Sequence, residues 1–311
     1  MVLRGTPVRN LRTPLAVRRR HFWWTPVVQR SEQLAGTVHS HSSLILLNTR
    51  IPPLKFPSKI PSKLQRTLQL QASRWGGIVN FAWTPASGTS LPNTETTSPE
   101  WETPHDERYS ATAFSSKNGT LEIPEVGPHN LDDVLVTLRE HASAGPTVHS
   151  TTNSTTNSNA KVVDAKSDTI HIYVCTHGQR DCRCGETGVA VYDALREEVQ
   201  RRSLQDLVQV GGVGHVGGHK YAANVLVYPY GDWLGYVTPA DVPGVLDKVL
   251  NLRSSLAATP FSTTSTPPLC PQFWRGRMGL DKEQQLHLFH GTSLLVEDQV
   301  TSADLKPHSR S

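Results

Sequence analysis

The chain has 311 residues, a length that can bury one large hydrophobic core or two modest ones. No apolar run approaches the length of a membrane span, and four cysteines, three of them clustered, do not form the disulfide framework of a secreted protein. The net charge is +4, but the first 31 residues hold seven arginines and no acid, which leaves −3 on the remainder. An acidic remainder argues against nucleic-acid binding.

The basic start, residues 1–36, resembles a targeting sequence. Arginine-rich and acid-free N-termini that carry Leu, Val and Trp are typical of mitochondrial transit peptides. The segment therefore predicts a mitochondrial location, in the matrix. The alternative interpretation is a disordered basic arm that contacts nucleic acid or anionic lipid.

Residues 37–143 have the pattern of an α/β lobe. "SLILLNTR" and "GGIVNFAW" read as strands on either side of a helical run from Ser62 to Trp75. Two alternating stretches then flank Asn118-Gly119, a strong hairpin signal, and "NLDDVLVTLREHA" follows as an amphipathic helix.

Residues 144–167 are polar and of low complexity, "STTNSTTNSNAK" among them, and predict a flexible linker. Residues 168–252 then give strand, helix, strand, a Gly/His loop, strand–turn–strand and helix. This order predicts a small thioredoxin-like α/β sandwich. Residues 37–143 end in the same order, so the first lobe is expected to be a degenerate repeat of the second. A second linker (253–269) and a tail that partly docks back (270–311) complete the predicted organisation.

Two cysteines and two histidines are the candidate site residues. Cys175 and Cys184 are spaced C-x8-C between a strand and a helix, and His215 and His219 are spaced H-x3-H in a glycine-rich loop after another strand. Neighbouring strands lie about 5 Å apart, so loops from one sheet edge can meet. Two thiolates and two imidazoles suffice for a tetrahedral metal or a two-iron cluster. The spacing excludes a classical zinc finger but not another structural zinc site.

Cys182 and Cys184 form a C-x-C pair beside Arg180 and Arg183. Nearby positive charge favours the thiolate, which suits either metal ligation or thiol–disulfide chemistry. A thiol–disulfide oxidoreductase that uses Cys182 and Cys184, and a zinc-stabilised interaction module, are therefore the alternative functions.

Three motifs resemble the sucrase/ferredoxin-like family: "CTHGQRDCRCG" at 175–185, "HVGGHKYAAN" at 215–224 and "WRGRMGL" at 274–280. "PPLKFPSKI", earlier in the chain, resembles the first half of that family. The resemblance implies a C-terminal thioredoxin-like ferredoxin domain that holds a [2Fe–2S] cluster through two cysteines and two histidines. The ligands that it implies are Cys175, Cys184, His215 and His219, although Cys182 in place of Cys184 stays open.

The implied activity is one-electron transfer in mitochondrial redox homeostasis, by a carrier rather than a stand-alone enzyme. The electron donor and acceptor are then other proteins, which the sequence does not name. Arg180, Arg183 and Lys220 are candidates for stabilising the reduced cluster, and a solvated basic rim is the alternative interpretation. No nucleic-acid partner and no membrane span are expected.

Overall fold

The computed structural model describes residues 34–85, 107–143, 169–256 and 261–291. Residues 1–33 of the predicted targeting segment and the predicted linker 144–167 lie outside the described residues. So do residues 257–260 of the second predicted linker and residues 292–311 of the tail.

Across the described residues, nine strands form one mixed sheet in the spatial order β4-β3-β1-β2-β6-β5-β7-β8-β9. The strands are β1 (Ser43–Asn48), β2 (Gly77–Trp83), β3 (Tyr109–Ser115), β4 (Gly119–Val126), β5 (Ile170–Cys175), β6 (Val208–Val213), β7 (Val225–Tyr228), β8 (Asp232–Leu234) and β9 (Trp274–Arg277). Strands β3 and β4 pair antiparallel from Ser115↔Gly119, so the hairpin predicted at Asn118-Gly119 is confirmed.

The helices are α1 (Lys63–Ala72), α2 (Leu131–Ser143), α3 (Val189–Arg201) and α4 (Val242–Ser255), and residues 282–291 are also helical. Helix α1 begins after Ser62, whose hydroxyl accepts a hydrogen bond from the Gln65 N–H at 3.0 Å and so caps the first turn. Helix α4 runs three residues past the predicted boundary at 252. Among the described residues, no helix is long and apolar enough to cross a membrane.

The two halves of the sheet share one topology. In the first half β1 and β2 are parallel, β3 pairs antiparallel with β1, and β4 pairs antiparallel with β3. Strands β5, β6, β7 and β8 repeat this arrangement in the second half, and each half ends in a helix. The predicted mixed α/β fold is confirmed, whereas a common origin of the two halves stays a prediction.

The halves are joined edge to edge. The last residues of β2 pair antiparallel with those of β6, Ala82 opposite Val213 and Trp83 opposite Gly212. The Gly214 N–H continues the ladder with a 2.8 Å hydrogen bond to the Phe81 carbonyl. The first half therefore lies directly beside the loop that follows β6.

The sheet curves until its helix-free face packs against itself. Phe114 of β3 stacks on Tyr228 of β7 with ring centroids 4.2 Å apart, although four strands separate β3 from β7 in the sheet. Leu44, Leu46 and Tyr173 are buried in the same cluster. The opposite face is covered by helices, which bury a separate apolar cluster in each half. One continuous sheet thus carries three packed cores.

The segment after residue 270 adds the last strand. Strand β9 pairs antiparallel with β8, and the Arg277 guanidinium donates to the fully buried Asp232 carboxylate at 2.9 and 3.0 Å. The Trp274 indole N–H also donates to Asp232, at 2.6 Å. These contacts hold the segment against the second half.

Two buried histidines make the stability of this fold dependent on pH. His41 and His171 are 3% and 4% exposed, and burial lowers the pKa of each to about 4 from its ordinary 6.5. Between pH 6.5 and about pH 4 these histidines are protonated in the unfolded chain but neutral in the folded chain. The free energy of unfolding therefore falls as the pH falls through this range. At about pH 4, each histidine is expected to have lowered the free energy of unfolding by about 3 kcal/mol relative to neutral pH.

Urea unfolding near neutral pH and at about pH 4.5 measures this loss. The variant His171→Gln, which does not titrate, should lose less free energy of unfolding over that interval than the unsubstituted protein. An equal loss in the two proteins would contradict the assignment to His171.

Candidate metal centre

The candidate centre lies at the edge where β5 and β6 end. These strands are parallel and in register, with Cys175 opposite Val213, so the loops that follow them begin side by side. The loop after β6 carries His215. The loop after β5 leads to Cys184, the first residue of a single π-helical turn, Cys184–Gly188, that continues into α3. Such turns are frequent at functional sites.

The structure brings three of the four predicted ligands together. The sulfur atoms of Cys175 and Cys184 and a ring nitrogen of His215 all lie within 4.8 Å of one another. The Cys184 sulfur is 3.9 Å from His215 Nδ1, and both cysteines are 1% exposed. Two thiols and an imidazole, with no carboxylate among them, are the donors that iron–sulfur clusters and zinc take in proteins. The residues present therefore fit the implied cluster.

His219, the fourth predicted ligand, lies beside this group but outside it. Its ring centroid is 5.5 Å from that of His215, with the two planes at 28°. Its side chain is 47% exposed, and its Nδ1 is 3.7 Å from an Asp181 carboxylate oxygen. The structure thus places His219 at the solvent edge of the centre, facing Asp181.

The two buried thiols are hydrogen-bonded to each other. The hydrogen bond between Cys184 and Cys175 lowers the pKa of Cys175, as do the N–H groups of Val216 and His177, and the same bond together with burial raises the pKa of Cys184. The pair therefore loses its first proton at Cys175. A metal that binds both sulfurs has to displace the second.

Cys182 is placed differently. It is exposed and helical, two residues before Cys184. Residues i and i+2 of a helix do not face each other, and the Cys184 thiol turns towards Cys175 and His215. Arg183 donates two 2.9 Å hydrogen bonds to Asp181. This arrangement does not favour a Cys182–Cys184 thiol pair.

The first half of the chain supports the centre. The His177 Nε2–H donates to the Pro57 carbonyl at 3.0 Å, which leaves Nδ1 to accept from the His215 N–H at 3.4 Å. The Asn80 amide donates to the carbonyls of Gly214 and His215 at 3.2 and 3.3 Å. The motif at 175–185 contains His177, but no sequence signal marked Asn80.

Gly188 lets α3 begin against the end of β5. A Cβ atom at this position would lie 2.1 Å from the Cys175 carbonyl oxygen, a backbone contact that no side-chain movement relieves. We expect Gly188→Ala to displace Cys175 from Cys184, lower the metal content and destabilise the fold by about 1–3 kcal/mol.

The control is Gly244→Ala, because a Cβ at Gly244 in α4 meets nothing within 4 Å. Alanine there should leave stability unchanged or raise it slightly. Metal analysis and thermal unfolding of both variants provide the comparison. Normal metal content and stability in Gly188→Ala would refute the steric argument.

Arg275 is a second residue that sequence reasoning missed, besides Asn80. The residue is 3% exposed, and its guanidinium donates to Asn224 Oδ1 at 2.7 Å and to the hydroxyl and carbonyl of Thr37, each at 3.2 Å. The Asn224 side-chain amide in turn donates to the Gly218 carbonyl, and the Asn224 backbone carbonyl accepts from the Cys175 N–H. Arg275 thus braces both loops of the centre and adds a positive charge that lowers the pKa of Cys175. The only sequence signal was its place in the "WRGRMGL" motif.

Fold and site together define an α/β protein with a buried cluster of two cysteines and one histidine, whose donor atoms suit a metal. The chain belongs to the sucrase/ferredoxin-like family, whose model matches residues 34–275.

Curated relatives match a shorter stretch. Altered inheritance of mitochondria protein 32 of Debaryomyces hansenii is 39% identical over 84 residues, 25% of this chain and 30% of the relative. Actin patches distal protein 1 of Saccharomyces cerevisiae is 34% identical over 91 residues, 25% of this chain and 29% of the relative. The matches thus span less than a third of these relatives' length.

Among solved structures, a thioredoxin-like [2Fe–2S] ferredoxin from Aquifex aeolicus is 28% identical. The match covers 26% of this chain and 80% of the ferredoxin chain, with a TM-score of 0.24.

Proposed function

We propose that this chain is an electron-transfer protein that holds a [2Fe–2S] cluster through Cys175, Cys184, His215 and His219. The observation that carries the proposal is the convergence of two buried thiols and one imidazole within 4.8 Å, in a member of the sucrase/ferredoxin-like family. A cluster of this type, when bound, accepts and releases one electron.

The residues of the chain have separable roles in this proposal. Cys175 and Cys184 supply thiolates from a site that excludes water. His177 and Asn80 hold the backbone at His215, and the buried Arg275 offsets negative charge at the thiolates. Such outer contacts orient ligands and tune a metal centre.

In this proposal, electrons pass between the centre and other proteins on the side of His219. It is the exposed member of the ligand set, so electrons enter and leave most directly from its side of the centre. The donor and acceptor are separate proteins, which dock over this edge.

The test is metal analysis of the full chain purified without oxygen. Brown protein with about two irons and two sulfides per chain is expected. His219→Cys should keep both but shift the visible absorption spectrum, because a thiolate replaces an imidazole at the iron. His129→Cys, which changes a histidine that is 54% exposed in the first half, is the matched control and should leave the spectrum unchanged. Colourless protein after cluster reconstitution would refute the proposal.

A structural zinc site is the second candidate, since the same three donors suit tetrahedral zinc. It predicts a colourless protein that contains one zinc per chain and loses stability on chelation. The metal analysis described above separates the two proposals.

The proposal includes a mitochondrial location, in the matrix. Relatives named altered inheritance of mitochondria protein 32 and the acid-free, arginine-rich residues 1–31 support it. Residues 1–36 fused to a fluorescent reporter should direct it to the matrix, and a cytosolic reporter would count against this location.

A further inference from the structure

A cavity of about 270 Å³ adjoins the candidate centre. One wall is the loop between His215 and His219, formed by Val216, Gly217 and Gly218. The others come from residues 37–39, from Trp233 and from Arg275. The cavity therefore touches the loop that carries both predicted histidine ligands, and neither histidine lines it.

The cavity is electropositive. Arg275 and Lys220 line it, and no aspartate or glutamate is among the described residues that do so. The Arg275 guanidinium and the Lys220 ammonium each lie 4.8 Å from the centre of the Tyr221 ring. Within the described part of the chain, neither cation has a carboxylate at ion-pair distance.

Arg275 is the more unusual of the two cations. Its hydrogen bonds all go to uncharged acceptors, Thr37 and Asn224, and burial lowers its pKa to about 10. A buried charge without a counter-charge is costly. Of the five N–H groups of a guanidinium, these contacts use three, which leaves two for a ligand.

The backbone adds further donors. Gly217 and Gly218 both have positive φ, and a Cβ atom at Gly217 would meet nothing within 4 Å, so the space beside its Cα atom is open. The N–H groups of these glycines donate to no acceptor among the described residues. Val38, Ile78, Val216 and Trp233 make the rest of the lining largely apolar.

We propose that this cavity binds a small organic carboxylate, with its anionic end at Arg275 and Lys220 and its apolar body against Trp233, Ile78 and Val38. Two cations and free N–H groups suit a carboxylate, and the apolar walls favour a ligand with a hydrocarbon part over a bare inorganic ion. The bound anion would lie against the loop of His215 and His219. This inference rests on the protein's own residues and does not require a cluster.

The experiment is calorimetric titration of the full chain with benzoate, acetate, citrate and inorganic phosphate, and with benzyl alcohol as the uncharged analogue of benzoate. Benzoate should bind one per chain. Lys220→Gln should weaken it at least fivefold; Lys220 is exposed, so the variant should fold. Arg196→Gln is the matched control, because Arg196 also lies over a tyrosine ring and lines a different cavity. It should bind benzoate as the unsubstituted chain does.

Three results would overturn the proposal. They are equal affinity for benzoate and benzyl alcohol, tighter binding of phosphate than of benzoate, and no saturable binding of any of the carboxylates. The titration is repeated on metal-free protein, where benzoate should still bind. The iron content is measured independently, so failure of the carboxylate proposal and failure of the cluster proposal can be told apart.

Discussion

Replacing Cys184 by serine is expected to remove the iron and sulfide of the purified protein, whereas replacing Cys182 by serine is expected to leave both unchanged. The Cys184 thiol is buried, hydrogen-bonded to Cys175 and 3.9 Å from His215 Nδ1, while Cys182 is exposed. Substitutions around a metal site that spare its ligands already cost 10–100-fold in affinity, so loss of a thiolate should lower the metal content at least about tenfold.

The two variants change the same atom, sulfur to oxygen, two residues apart, so each is the control for the other. Circular dichroism should show that both fold. If metal is retained in Cys184→Ser and lost in Cys182→Ser, the ligand is Cys182 and not Cys184. The C-x-C spacing leaves that assignment open. Retention in both would remove these cysteines from the centre.

Arg277→Met is expected to destabilise the protein by about 3–5 kcal/mol, because it leaves the Asp232 carboxylate buried without its cation. Both side chains are fully buried and joined by two hydrogen bonds. Strand β9 should then detach more readily from β8, and Arg275, two residues away on the same strand, should lose its place beside the centre. Chemical denaturation of the unsubstituted and variant proteins gives the difference in free energy of unfolding.

Two further variants sharpen this measurement. Arg108→Met breaks an exposed ion pair with Glu125 and should cost no more than about 1 kcal/mol. The double variant Asp232→Leu, Arg277→Met removes both buried charges and should recover much of the stability that Arg277→Met loses. A loss as small as that of Arg108→Met would mean that the buried pair does not hold β9.

The secondary structure could largely be predicted because its signals are local. Alternation and caps located the strands and helices, and Asn118-Gly119 located a hairpin. The single curved sheet could not be predicted in this way. The short pairing of β2 with β6 and the stacking of Phe114 on Tyr228 join residues more than a hundred positions apart, and no local pattern encodes such contacts.

The sequence by itself determined which donors are available: a cysteine at the end of β5, another at the start of the turn into α3, and two histidines after β6. Parallel neighbours end at one edge of a sheet, so this placement follows from chain order alone. Only the tertiary structure decided what surrounds those donors. Asn80 and Arg275 reach the centre because β2 joins β6 and β9 joins β8, and these edge pairings depend on the packing of the whole sheet.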